Sequence, residues 1–156
     1  MNDTSAQPVR FGRWFEEFSV GQRFRTDGRT ITDADIVLFA GLIGANNPQF
    51  LDEEYAAASA FGGRVAPGPL ALSIGLASTE PLITGTLLAL LGVDGVRYHG
   101  PVRPGDTIHN EIAVAETRAT SRPDRGTIRL DNRIVNQRGE TVLTFQHTLL
   151  VKKRPH

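Results

Sequence analysis

The run from Leu70 to about Leu82, LALSIGLASTEPL, most limits how this chain can fold. It has helical length, almost no strong polar group and no polar face. A helix that is apolar all round has to be buried. The rest of the chain must therefore wrap it. Its entry, Arg64-Val65-Ala66-Pro67-Gly68-Pro69, is rich in Gly and Pro. A helix start of this kind presents backbone N–H groups without helical acceptors, and such a terminus can hold a developing negative charge.

The flanking segments supply the wrapping. Arg23 to Ile31 alternates as a strand, with Asp27-Gly28 as a turn or bulge. Thr32 is a good N-cap before Asp33 and Asp35, and Ile36, Leu38, Phe39, Leu42 and Ile43 give an apolar face ended by Gly44. PQFLDEEYAAASAFGG reads as an irregular arm with a short helical turn. Beyond the buried helix, Thr84-Gly85-Thr86 punctuates and Leu87 to Gly92 is apolar. Extended segments follow at Val93–Val102, Thr107–Thr117, Gly126–Asn136 and Thr141–Lys153. Turns are expected at 103–106, 123–126 and 137–140. In the second segment Ile108, Ile112 and Val114 share one face. This order predicts an α+β fold, one antiparallel sheet around a helix. Residues 1–12 read as a loose polar tail and 13–154 as a single domain.

Composition narrows the function. At 156 residues and 40% hydrophobic, one domain can bury a proper core. Seventeen basic residues balance seventeen acidic ones, so nothing argues for nucleic acid or a membrane surface as partner. No cysteine is present, which excludes disulfides and thiolate chemistry. No His/Asp/Glu group has metal-ligand spacing. The N-terminus lacks an apolar signal core, and no apolar run nears the ~18 residues that span a membrane. A cytoplasmic protein is expected.

Gly44-Ala45-Asn46-Asn47-Pro48-Gln49-Phe50, then Asp52-Glu53-Glu54-Tyr55-Ala56, then Phe61-Gly62-Gly63-Arg64-Val65-Ala66-Pro67-Gly68 carry a resemblance. They are similar to the signature of the MaoC-like hotdog proteins, (R)-specific enoyl-CoA hydratases and 3-hydroxyacyl dehydratases. That signature runs G-D-x-N-P-x-H, D-E-x-Y-A, F-G-x-x-(I/V)-A-x-G. The resemblance implies a hotdog fold and a dimer formed through edge strands, either a homodimer or a heterodimer with a related hotdog subunit. It also implies an acyl-CoA or acyl-carrier thioester as ligand, with no cofactor.

In that family an Asp and a His activate the water that adds to an enoyl thioester, while a backbone N–H binds the thioester oxygen. The oxyanion glycine corresponds to Gly68, and the motif's Asn and Pro to Asn47 and Pro48. Gly68 and Asn47 are the catalytic candidates, Asn47 orienting a water or the thioester, though an Asn before Pro also reads as a turn former. Ala45 stands at the Asp position and Phe50 at the His position, and neither side chain can hold or move a proton. Ala45, Phe50, Pro48, Arg64, Val65, Ala66 and Pro67 are the expected substrate-binding residues. Arg64 and Arg103 are candidates for the phosphates of coenzyme A or for a carrier-protein helix, each readable also as a solvated surface charge. Replacement chemistry would have to come from His99, His109, His147 or the acidic run Asp52-Glu53-Glu54. The plainer reading makes the histidines hydrogen-bonded strand residues and the acids a solvated turn. Three functions remain open: a hydratase or dehydratase, a non-catalytic acyl-binding subunit, and a hotdog thioesterase.

Overall fold

The structure is a computed structural model that describes residues 12–155. The expected N-terminal tail lies outside the described residues except for Gly12, whose N–H donates to Thr84 O at 2.5 Å. A 3₁₀ turn, Phe15–Glu17, precedes two short strands, β1 (Arg23–Arg25) and β2 (Arg29–Thr30). Four helices follow, α1 (Asp33–Ile43), α2 (Pro48–Leu51), α3 (Glu53–Ala57) and α4 (Gly68–Ala77), then the short α5 (Glu80–Ile83). Four long strands complete the described chain: β3 (Leu87–Tyr98), β4 (Thr107–Ala119), β5 (Arg125–Asn136) and β6 (Thr141–Lys152). They form one antiparallel sheet in the order β1-β4-β5-β6-β3, with β2 also paired to β4.

The alternation expected for the Thr107–Thr117 segment is present in β4, and β5 shows it too. Ile108, Asn110, Ile112 and Val114 of β4 are buried, as are Ile128, Leu130, Asn132 and Ile134 of β5. Leu70 and Ala71 of α4 share a core cluster with Ile108, Ile134, Val142, Leu143 and Phe145 from three strands, so the sheet does wrap this helix. The fit is tight at Gly75, where an added Cβ would lie 2.9 Å from Phe145 Cε1 and 3.0 Å from Ile134 Cδ1. A glycine is required there by close approach of helix to sheet.

Three expectations are corrected. The wrapped helix begins at Gly68 and ends at Ala77, instead of running from 70 to 82. Ser78 Oγ donates to Gly75 O at 2.6 Å and Thr79 Oγ1 to Leu76 O at 2.8 Å, and these hydroxyls compete for the carbonyls that would carry the helix on. Arg23 to Ile31 is two strands, both paired to β4, with Thr26-Asp27-Gly28 between them. The apolar run 87–92 belongs to the same strand as Val93–Tyr98, an edge strand whose register shifts three times against β6.

The caps fall where the sequence puts them. Thr32 Oγ1 accepts from the Asp35 N–H, and Asp35 Oδ2 accepts from the Thr32 N–H, a reciprocal pair. Gly44 closes α1 in the left-handed region at φ 73°. Asp106 joins two turns. Its carboxylate accepts from the Arg103 amide, Gln137 Nε2 and Arg138 Nη1. Burial pushes its pKa up, but these donors outweigh it and hold it below the usual carboxylate range.

Candidate active site

The arm between α1 and α4 is held by polar staples. Asn47 Oδ1 accepts from the Gln49 N–H and caps α2, with Pro48 in its first turn. Gln49 Nε2 donates to Gly63 O at 3.0 Å, tying α2 to the segment entering α4. Arg64 is the centre of this arm. Its guanidinium donates to Asp33 at the start of α1, to Glu53 of α3 and to the Phe50 carbonyl of α2. These two carboxylates raise its pKa, and its side chain is only 15% exposed. Arg64 is thus a structural clamp, which corrects its assignment to coenzyme A phosphates. The residue at that end with a free cationic head among the described residues is Arg103, whose Nη1 lies 3.7 Å from the position of a Cβ on Gly63.

Asp52 and Glu53 are likewise engaged. Asp52 Oδ1 accepts from the Tyr55 N–H and caps α3, while Glu53 pairs with Arg64. Glu54 is exposed. This acidic run builds the arm instead of aiming into a cleft.

The start of α4 opens on a cleft of about 410 Å³ lined by Phe61, Val65, Ala66, Gly68, Tyr98 and His99, among others. Pro67 is the N-cap, and Pro69 has no N–H to offer. The Leu70 N–H turns back to Pro67 O at 2.9 Å. The Gly68 N–H has no acceptor among the described residues. Val65, Ala66 and Gly68 share this lining. Ala45, Asn47, Pro48, Phe50, Arg64 and Pro67 stand outside the lining. Phe50 packs on the apolar cluster that also holds Ala66, Leu70 and Ala71, and Ala45 follows Gly44 half-buried, its N–H on Ala40 O at 2.9 Å.

Tyr98 is the lining residue the sequence reading passed over. A Cβ on Gly68 would meet Tyr98 Cζ at 3.0 Å, Cε1 at 3.1 Å and Oη at 3.2 Å. No local signal marked it, because the register of β3 against β6 shifts between Asp94 and Arg97 and the period of two is broken there. His99 also lines the cleft, with Nε2 2.8 Å from Thr144 Oγ1. The other two strand histidines are elsewhere. His109 pairs with Glu111 at 3.4 Å. His147 is buried, its Nδ1 accepting from Asn132 Nδ2 at 2.9 Å, which places the ring proton on Nε2, 3.5 Å from Thr79 Oγ1. Burial pushes its pKa down to about 4. A larger concavity, about 1020 Å³, lies across the sheet; within its lining Arg133 pairs with Glu111 and Gln146 Nε2 donates to Asp131. No group of His, Asp and Glu among the described residues could hold a metal ion.

Residues 16–133 match the profile of the MaoC like domain. The chain belongs to the MaoC-like family. This MaoC-like chain is 28% identical over 144 residues, 92% of its length, to mesaconyl-CoA hydratase of Cereibacter sphaeroides, and spans 42% of that protein. It is 32% identical to the MaoC-like dehydratase of Rhodospirillum rubrum, whose crystal structure superposes with a TM-score of 0.81 over 93% of this chain and 100% of that one. A Mycobacterium tuberculosis protein with a double hotdog fold superposes at 0.85, covering 92% of this chain and 45% of that one at 23% identity. The sheet around α4 is the hotdog fold.

Proposed function

We propose that this MaoC-like protein binds an acyl thioester at the start of α4 and lacks the water-activating pair of its relatives. The observation that carries the reading is the Gly68 amide, free of any described acceptor and opening on an apolar cleft. A backbone N–H held at a helix start is preorganised to receive a thioester oxygen as negative charge develops on it. Ala45 and Phe50 occupy the sequence positions of the family's Asp and His. Alanine and phenylalanine supply neither a base for water nor a proton for the α-carbon. The protein on this reading shapes and polarises an acyl group without hydrating it, as a subunit that works beside a catalytically complete hotdog partner or as an acyl-binding homodimer.

The route to a dimer is physical. β3 pairs with β6 on one side only, and its outer residues Leu88, Leu90 and Leu91 are 38%, 51% and 54% exposed. A long apolar edge strand is a ready template for another chain. Arg103 offers the cation suited to the phosphates of a coenzyme A or phosphopantetheine carrier. No helix among the described residues is long and apolar enough to cross a membrane.

The double reversion Ala45→Asp with Phe50→His tests the reading. Crotonyl-CoA hydration that is absent in the unmodified protein and present in the revertant is the expected result. Turnover by the unmodified protein would sink it. A second reading, catalysis through another base, is favoured only by His99 in the cleft lining. His99→Gln abolishing any thioester hydrolysis or hydration would decide for it.

A further inference from the structure

Tyr98 and Gly68 belong to different elements, yet they lie against each other. The Ala66 N–H, two residues before Gly68, donates to Val102 O at 2.7 Å. The His99 N–H donates to Val142 O at 2.9 Å and the His99 ring bonds Thr144. The backbone just after Tyr98 is therefore tied to β6 at His99 and to the segment that enters α4 at Val102.

What meets the helix start is the hydroxyl end of the ring. Of the three heavy atoms nearest a Cβ built on Gly68, Cζ and Oη are two. The Tyr98 hydroxyl has no hydrogen-bond partner among the described residues. The side chain is half-exposed, and it lines the same cleft as Gly68. Two unpaired donors, one N–H and one O–H, thus stand at the mouth of one apolar cleft. An N–H and an O–H that no described residue accepts from suit an acceptor that arrives with the ligand.

We propose that the Tyr98 hydroxyl is a second donor to the carbonyl oxygen of the bound acyl thioester, alongside the Gly68 amide. The inference rests on the thioester reading above and deepens it. The phenol keeps its proton throughout: it shares it in a hydrogen bond to the carbonyl oxygen and no covalent bond is made or broken. Burial raises its pKa, so it remains a donor through neutral and mildly basic pH. The two donors draw electron density toward the carbonyl oxygen, which polarises the conjugated C=C bond without requiring a base. Gly68 is then doubly constrained, since any side chain there would push the phenol away.

The test uses the full chain and crotonyl-CoA carrying ¹³C at the thioester carbonyl. Calorimetry gives affinity, and difference infrared spectra give the carbonyl stretch of the bound ligand. In the unmodified protein the band moves to lower frequency on binding. Tyr98→Phe keeps the ring and removes only the hydroxyl. It is expected to reverse a large part of that band shift and to weaken binding roughly five- to tenfold, the effect of one hydrogen bond. An unchanged band with ligand bound to both proteins overturns the role of Tyr98 while leaving the thioester site standing. No binding of crotonyl-CoA to the unmodified protein overturns the thioester reading itself. A ring that merely covers the cleft predicts the first of these two negative results.

Discussion

Arg64 shows how one side chain decides the position of three elements. It reaches the start of α1, the start of α3 and the Phe50 carbonyl of α2 at once. Both carboxylate partners are more than half exposed, so each ion pair is screened and individually small. Arg64→Ala is expected to cost about 1 kcal/mol in urea unfolding, with the loss shrinking as salt is raised. His147 gives a prediction of opposite character. It is neutral in the folded protein down to about pH 4, while in the unfolded chain a histidine takes up its proton below about 6.5. Between these values the unfolded state binds more protons, so stability falls as pH falls. At pH 5 the loss is about 2 kcal/mol relative to pH 7. The carboxylates with lowered pKa, such as Asp106, act in the same direction but only at more acid pH. His147→Leu should flatten the profile between pH 6.5 and 4.5 in denaturant titrations, at a cost near neutrality because Asn132 loses its ring partner.

Two glycines of α4 separate packing from binding. At Gly75 a methyl group would strike Phe145 and Ile134, both buried in the core and unable to move aside. Gly75→Ala is therefore expected to destabilise by about 1–3 kcal/mol, read as a lower unfolding midpoint. At Gly68 the obstacle is the end of a half-exposed tyrosine, which can swing outward. Gly68→Ala should leave the melting temperature within a few degrees while crotonyl-CoA affinity drops in calorimetry. Much of the element pattern was legible locally. Thr32, Gly44 and Asn47 cap helices through bonds to residues at most a few positions away, and the β4 alternation follows from the pleat. The end of α4 was less so, because Ser78 and Thr79 turn back on the helix although the residues after them remain apolar. The pattern of β3 was hidden by its register shifts against β6, which break the period of two.

At the scale of the molecule the unfinished surface is conspicuous. Leu38 and Leu42 of α1 are 73% and 82% exposed, and so are Leu90 and Leu91 on the open β3 edge, at 51% and 54%. Such an edge is costly to leave bare. Leu90→Arg is expected to shift the protein to a monomer in size-exclusion chromatography with light scattering. The same substitution should leave the pH dependence set by His147 intact, since that group lies inside the sheet and off the edge. An unmodified protein that is already monomeric at micromolar concentration would refute the edge-strand dimer.

The string of residues by itself determined that an apolar helix must be enclosed, that an antiparallel sheet encloses it, and that a Gly-Pro-rich segment leads into it. Periodicity, caps and turn residues act within a few positions, so they can be read without coordinates. Only the tertiary structure decided that Arg64 is a clamp, that His147 is sealed inside, and that Tyr98 leans on Gly68. Each of those depends on partners between 11 and 68 residues apart or on packing between separate elements. Distances of that kind are fixed by how the sheet curves round the helix, and no local rule of sequence contains them.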